Sequence, residues 1–197
     1  MNFKDFEQLV LKTRSVRRFR SYRPVTAENL RSLVNLARQT SSGMNRQPLK
    51  YILVNEPVAC AKLFENLAWA AALKDWDGPS ESERPKAYII ILGDTDINKS
   101  FKCDQGIALQ TIMLGAGSMG FGCCALGSVK RDEVRTIFDI EQRYEILLVM
   151  AIGASGEDTK IEPMPMDGNV NYWRDEQSVH HVPKRSLEEV IVKEVTD

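Results

Sequence analysis

The sequence has no long uninterrupted hydrophobic run. Its longest apolar stretch, ILLVMAIGA from Ile146, is far shorter than the roughly 20 residues that a membrane-spanning helix needs. The first ten residues, MNFKDFEQLV, include acidic side chains where a secretory signal has an unbroken apolar core, and a mitochondrial presequence is poor in Asp and Glu. We therefore expect a cytoplasmic protein that has no membrane segment.

The chain also lacks paired cysteines, a histidine cluster and an excess of either charge. Its four cysteines show no CxxC spacing and include an adjacent pair, Cys123 and Cys124, so we expect small buried thiols rather than disulfides or a zinc site. Its only histidines, His180 and His181, would point to opposite sides of an extended segment, which disfavours a metal site. The net charge of -1 argues against a general nucleic-acid or membrane-surface binder.

Positive charge is instead concentrated in one short stretch, KTRSVRRFRSYRP, which runs from Lys12 to Pro24. Such a local cluster suggests that the protein meets an anion there. For Arg18, Arg20 and Arg23 the simpler interpretation is a solvated face or ion pairs with carboxylates. The other arginines of the stretch are Arg14 and Arg17.

Hydrophobic periodicity and capping signals predict several helices. Apolar residues recur at helical spacing from Phe3 to Val10, and Thr26 is a plausible N-cap for a second helix. Further predicted helices run from Pro57 through Leu63 and Leu67, from Asp104 through an apolar stretch, from Asp132 to Phe138, and from the capping box at Ser186 through Ile191.

Apolar runs predict buried strands at YILVN from Tyr51, AYIIIL from Ala87 and EILLVMAIG from Glu145, and the stretch from Ser155 to Gly168 is expected to be a long connection. GAGSMG at Gly115 to Gly120 matches GxGxxG, but a helical pattern precedes it where a dinucleotide fold needs a strand. Because strands and helices mix without strict alternation, we expect an α+β fold with a sheet between helical layers.

Two blocks in order, TRSVRRF and then SSGMNRQPL, resemble the FMN-dependent nitroreductase family, whose usual patterns are RRSxRxF and PSxxNxQPW. The resemblance continues through DQGIALQTIMLGAGSMGFGCCALGS to the basic PKR before the last helix. Three positions depart from the family pattern. Thr13 replaces an arginine, which would weaken one phosphate contact, and Ser41 replaces a proline and Leu49 an aromatic residue, which would reshape the pocket.

The resemblance implies an α+β fold with a central mixed or antiparallel sheet between helices, in an entwined homodimer that binds FMN at the subunit interface. It implies a single domain over residues 1–197, with a C-terminal tail from about residue 155 that extends over the partner subunit. The apolar segment from Asp104 would be the central helix of the dimer interface. A second copy of the chain, and no nucleic acid or membrane, is therefore the expected macromolecular partner.

The resemblance also assigns the FMN site residue by residue. Its phosphate and ribityl end would meet Arg14, Ser15 and Arg17, with Lys184 and Arg185 approaching from the C-terminal side. The other subunit would contribute the block of Ser41, Ser42, Asn45 and Gln47. Ala125, Leu126 and Gly127 would form a loop at the reactive face of the ring, while Leu67, Trp69 and Ala70 would border the substrate.

The implied activity is ping-pong oxidoreduction. NADH or NADPH would give hydride to flavin N5, and a nitroaromatic, quinone or other small acceptor would then take the electrons. No catalytic side chain is expected, because the cofactor carries the chemistry; Arg17 is our candidate for stabilising the reduced ring. Flavin cleavage or dehalogenation in the same fold is one alternative. A non-enzymatic polyanion-binding domain that uses the stretch from Arg14 to Arg23 is another.

Overall fold

A computed structural model describes residues 2–70, 72–73, 75–101 and 103–196. No helix within these ranges is both long enough and apolar enough to cross a membrane. The helices are α1 (Phe3–Lys12), α2 (Ala27–Ala37), α3 (Pro57–Phe64), α4 (Asp104–Ser118), α5 (Arg131–Ile137) and α6 (Leu187–Val190).

Local capping explains where several helices begin. Reciprocal side-chain to backbone bonds join Asn2 with Asp5, Thr26 with Asn29, and Ser186 with Glu189, which satisfies amide groups that the first turn leaves free. At α3 the Glu56 carboxylate caps the helix and Pro57 occupies the first turn. The predicted helix starts at Thr26, Pro57 and Ser186 are thereby confirmed.

The strands form two sheets. β1 (Phe19–Arg20), β2 (Leu49–Val54), β3 (Ala87–Asp94), β4 (Gly122–Leu126) and β5 (Tyr144–Ser155) make an antiparallel sheet in the order β1-β5-β3-β2, and β4 also pairs with β5. We call this the central sheet. The tail sheet has the order β6-β8-β7, in which β6 (Thr159–Pro163) runs parallel and β7 (Trp173–Arg174) antiparallel to β8 (His180–Lys184).

The central sheet carries a hydrophobic core on each face. Along β3, which is buried throughout, Ile89 and Ile91 face one core with α2 and α4, while Tyr88 and Ile90 face the other with α3 and α5. Helical layers therefore cover both sides of the sheet, as the sequence predicts.

The structure corrects four predictions. α3 ends at Phe64, so Leu67 lies beyond it and pairs with Val129 in an isolated bridge. The expected loop at Ala125 and Leu126 is the end of strand β4, because β5 provides a hydrogen-bonding edge that local sequence does not reveal. The long connection after Ser155 contains β6, and Cys103 is exposed, unlike the other three cysteines.

Candidate functional site

A cavity of about 200 Å³ lies between the end of β4, the segment after α3 and the tail. We call it the Arg17 cavity. Its wall includes six of the predicted site residues together with Tyr172, to which the sequence assigns no role. The six are Arg17, Trp69, Ala70, Ala125, Leu126 and Gly127.

Strand pairing positions the floor of this cavity. Ala125 lies opposite Met150 and Leu126 opposite Val149 in the β4/β5 pair, so the buried central sheet fixes the backbone at this point. The Arg131 guanidinium donates to the carbonyls of Gly127 and Ile146 at 3.3 and 2.9 Å, which ties the turn after β4 back to β5. The cavity floor is therefore rigid on both sides of Gly127.

The aromatic wall comes from Trp69, which is almost fully buried and packs against Phe64 with ring centroids 5.8 Å apart. Its Nε1 is buried and has no hydrogen-bond partner within the described ranges. The next residue, Ala70, has a φ of 41°, a left-handed conformation that is uncommon for a residue with a Cβ. The backbone thus turns sharply at the edge of the cavity.

Arg17 is held from several directions. Its backbone N–H donates to Glu157 at 2.5 Å, and its Nη1 donates to the Ser15 carbonyl at 3.3 Å and to His180 Nε2 at 3.2 Å. The guanidinium also lies 4.4 Å from the centre of the Tyr172 ring. These contacts hold a cation at the wall of a cavity that Trp69, Ala70 and Leu126 also line.

The tail supplies this support through a buried ion pair. The Glu157 side chain is 1% exposed and also accepts from Arg174 Nη2 at 3.0 Å. Because a guanidinium can only donate, His180 Nε2 accepts from Arg17 and the imidazole is neutral. Burial lowers the pKa of His180 to about 4, which agrees with that protonation state. Sequence reasoning missed four residues of this support, because it forms only through tertiary folding. Glu157, Tyr172 and His180 contact Arg17, and Arg174 pairs with Glu157.

Arg14 points in another direction. Its Nε donates to the Thr13 carbonyl at 2.6 Å and its Nη2 to the Val10 carbonyl at 2.5 Å, so it caps the C-terminal end of α1. Burial lowers the pKa of this guanidinium. Arg14 lines a separate cavity of about 300 Å³ beside Gly122 and Ser155. Ser15, between the two arginines, forms an isolated bridge with Cys123 at β4.

The block from Ser41 to Gln47 forms a second, distinct site around Asp104, the first residue of α4. Ser42 Oγ and the Gly43 N–H donate to the Asp104 carboxylate at 2.5 and 3.0 Å. Gln47 bonds Ser42 Oγ through its backbone N–H and Asn45 Oδ1 through its side chain. Ser41, Ser42, Gln47 and Asp104 line a cavity of about 210 Å³ that shares no lining residue with the Arg17 cavity.

The two C-terminal cations also lie away from the Arg17 cavity wall. Lys184 ends β8 opposite Pro163, and Arg185 pairs with Glu189 at 3.2 Å; both side chains are exposed. Within one chain, the predicted FMN residues are therefore divided among the Arg17 cavity, the separate cavity that Arg14 lines, the site around Asp104 and an exposed basic pair.

The comparisons with known proteins agree with this architecture. A model of the nitroreductase family matches residues 10–154. YodC of Bacillus subtilis, by name an NAD(P)H nitroreductase, is 25% identical over 175 residues, which cover 73% of this chain and 87% of YodC.

Solved structures show the same fold at low identity. A Desulfovibrio desulfuricans protein assigned as a nitroreductase and solved in complex with FMN has a TM-score of 0.69 and 18% identity, with 97% of each chain covered. An FMN-dependent nitroreductase from Clostridium difficile R20291 has a TM-score of 0.63 and 20% identity, with 77% of this chain and 88% of that chain covered.

Proposed function

The chain belongs to the nitroreductase family, and we propose that it is an FMN-dependent oxidoreductase that transfers electrons from NADH or NADPH to a small organic acceptor. Bound FMN would supply the chemistry by accepting hydride at N5 and passing electrons to the second substrate in a ping-pong cycle. The Arg17 cavity is the observation that carries this proposal. It combines a restrained cation, an aromatic wall and a floor of Ala125, Leu126 and Gly127 at the end of a buried strand.

The donor set of this cavity fits a flavin. A flat, largely apolar ring needs apolar walls, which Trp69, Ala70 and Leu126 provide, while a few polar groups fix its orientation. Arg17 supplies a positive charge that favours an anionic reduced ring, and the contacts of its guanidinium with the Ser15 carbonyl and His180 restrain its orientation. Tyr172 covers the guanidinium and excludes water from that side.

A homodimer would bring the remaining predicted residues to the cofactor. In one chain the turn of Ser41, Ser42, Asn45 and Gln47 lies at a different cavity from Arg17, so a second copy is the simplest source of these groups. Exposed apolar side chains support such an association. Phe3 on the amphipathic helix α1 is 78% exposed, and Leu187 on α6 is 65% exposed. The phosphate and ribityl chain would be held by Arg14, Ser15, Lys184 and Arg185, as the family resemblance implies.

The first test is the colour and redox response of the purified protein. We expect stoichiometric FMN absorbance that NADH or NADPH bleaches under anaerobic conditions, and a dimer by light scattering. A protein that stays colourless after incubation with FMN, and that binds heparin in a salt-sensitive way, would instead support the polyanion-binding alternative. Internal contacts of its arginines argue against that alternative, because Arg18 pairs with Glu83 and Arg23 lies over the Phe121 ring.

Substitution of Arg17 tests the cavity itself. Arg17→Met should weaken FMN binding by roughly ten- to a hundredfold, since a charge-assisted bond is worth about 1.5 to 3 kcal/mol. Arg20→Met is the matched control, because Arg20 is an exposed arginine of the same stretch. Equal FMN affinity in both variants, measured by fluorescence titration, would contradict the assignment.

Product analysis would then identify the reaction. An anaerobic screen of quinones, enones, nitroaromatics and free flavins with both nicotinamides separates general acceptor reduction from other chemistry. Loss of the flavin ring during turnover would indicate a flavin-cleaving enzyme, and halide release from a halogenated aromatic substrate would indicate a dehalogenase.

A further inference from the structure

A further cavity, partly open to solvent, lies on the other side of the Phe64–Trp69 aromatic pair. This cavity of about 320 Å³ is bounded by α3, by the 3-10 turn Glu81–Glu83 and by the start of β3. We call it the Tyr88 cavity. It shares no lining residue with the Arg17 cavity, and the proposed flavin function does not use it.

Two buried polar atoms at this cavity have no hydrogen-bond partner in the described part of the chain. Tyr88 is fully buried and its hydroxyl is unpaired. Arg84 is half-buried, but its Nε atom is buried and also unpaired. Burying a hydroxyl or a guanidinium N–H without a partner is costly, because the group gives up its bonds to water. Both atoms belong to residues that line the same cavity but lie just behind its surface, so a bound molecule would satisfy them together after a small movement of the Tyr88 and Arg84 side chains.

The charges around the cavity favour an anion. Arg84 and Lys86 both line it, and burial raises the pKa of Tyr88, which keeps the phenol protonated as a donor. Glu81 also lines the cavity and is the carboxylate that would oppose an anion. Glu56 is occupied elsewhere, since its two oxygens accept from the Val58 and Ala59 amides of α3 at 2.9 and 2.7 Å. The cavity is therefore lined by two cations and a phenol, and by one carboxylate, that of Glu81.

The remaining wall is apolar. The Arg84 guanidinium lies 4.1 Å from the centre of the Phe64 ring, and Pro57 and Pro85 close the sides. We propose that the Tyr88 cavity binds a small organic anion, a carboxylate with a flat apolar body, and that Arg84 and the Tyr88 hydroxyl hold the carboxylate. The two unpaired donors then receive an acceptor, and the apolar body covers the Phe64 and proline surfaces.

Benzoate is the probe for this site, and benzamide is its uncharged analogue. Titration of the purified full-length protein with benzoate should shift the Arg84 Nε–H resonance, identified by its loss in Arg84→Met, while benzamide should leave it unchanged. By calorimetry, Tyr88→Phe and Arg84→Met should each weaken benzoate binding about tenfold or more. Lys62→Met, which removes an exposed cation from α3 beside the cavity, should bind benzoate like the wild type.

Three outcomes would overturn the proposal. They are no shift of the Arg84 resonance at saturating benzoate, equal shifts with benzamide, or unchanged affinity in Tyr88→Phe. If benzoate bound only in the Arg17 cavity, the Trp69 resonances would shift and the Arg84 resonance would not, and the proposal would be overturned. Tyr88→Phe removes a single oxygen from a buried ring, so it keeps the test decisive if Arg84→Met does not fold. Failure here leaves the flavin proposal untouched, because no residue of the Arg17 cavity is altered.

Discussion

The central sheet and the tail sheet are held together by different forces. Strand β3 of the central sheet is buried throughout and contacts apolar cores on both faces, so hydrophobic burial dominates its stability. The tail sheet depends on Glu157 with Arg174, on the imidazoles of β8 and on aromatic contacts. The first region is therefore expected to be insensitive to pH and the second to respond to it. The central sheet lines the Arg17 cavity, and His180 of the tail sheet contacts Arg17.

Two neighbouring histidines show how the tail sheet responds. Burial lowers the pKa of His180 to about 4, so the stability that its neutral form contributes is present above the ordinary value of 6.5 and is lost as pH falls towards 4. His181, on the opposite face of β8, lies between Asp175 and Glu162, which raise its pKa. Its contribution has the opposite sign and is lost as pH rises.

The largest expected effect is on the buried strand of the central sheet. Ile90→Ala should lower the free energy of unfolding by about 2 to 5 kcal/mol, because Ile90 is fully buried and the loss includes the cavity that remains. Urea denaturation measures this, with Val58→Ala on the exposed face of α3 as a control that should change little. Equal effects of the two substitutions would show that the assigned core is wrong.

A smaller loss is expected where the tail sheet meets Arg17. Glu157→Gln removes the charge that Arg174 requires and should cost about 3 kcal/mol, since the guanidinium is left in a buried site without a counter-ion. It should also weaken FMN binding by loosening Arg17.

The pair of the exposed Lys160 and the half-buried Glu162 provides the matched control. Lys160→Gln should leave the free energy of unfolding almost unchanged, because water screens the exposed ammonium. If Glu157→Gln lowered stability without changing FMN affinity, the tail would be structural only and would not position Arg17.

The pH response of His181 should be smaller and local to the tail sheet. Its Nδ1 contacts Glu162 at 2.7 Å and its Nε2 contacts Asp175 at 3.0 Å, and only the protonated ring donates to both. The stabilisation is complete below the unfolded pKa of 6.5 and disappears as pH rises through the raised folded value.

Trp173 provides the readout, because its ring stacks on His181 with centroids 5.0 Å apart. Its fluorescence should titrate with a midpoint above 6.5, and His181→Gln should abolish that titration. Trp76→Phe leaves the stacked pair intact and removes a neighbouring fluorophore. A midpoint at or below 6.5 would contradict the ion-pair geometry.

The smallest effect on stability is expected at the floor of the Arg17 cavity, where the central sheet ends. A Cβ at Gly127 would lie 3.8 Å from Leu148, an ordinary contact, so Gly127→Leu should change the free energy of unfolding by about 0.5 kcal/mol or less. The larger side chain should nevertheless occupy the Arg17 cavity and reduce flavin binding or acceptor turnover. Gly127→Ala is the graded control, and unimpaired turnover in Gly127→Leu would place the reaction elsewhere.

The elements that follow from local signals were predicted well. Thr26 with Asn29, Pro57 and Ser186 with Glu189 begin helices because capping involves only residues a few positions apart. The apolar runs from Ala87 and Glu145 became β3 and β5 because continuous hydrophobicity suits a strand covered on both faces. Strand β4 was missed because its partner β5 is distant in sequence. Strand β6 was missed because it and its partner β8 lie in a segment that is too polar to show a strand pattern.

The sequence by itself determined the α+β class, the helix starts, the buried strands and, through its two ordered blocks, the family to which the chain belongs. Tertiary structure alone decided that Arg17 and Arg14 line different cavities, that Tyr172 lies over Arg17, and that Glu157 joins the tail to the arginine segment. The physical reason is the range of the interactions. Caps and periodicity act within a few residues, whereas a buried cation needs partners that can come from anywhere in the chain.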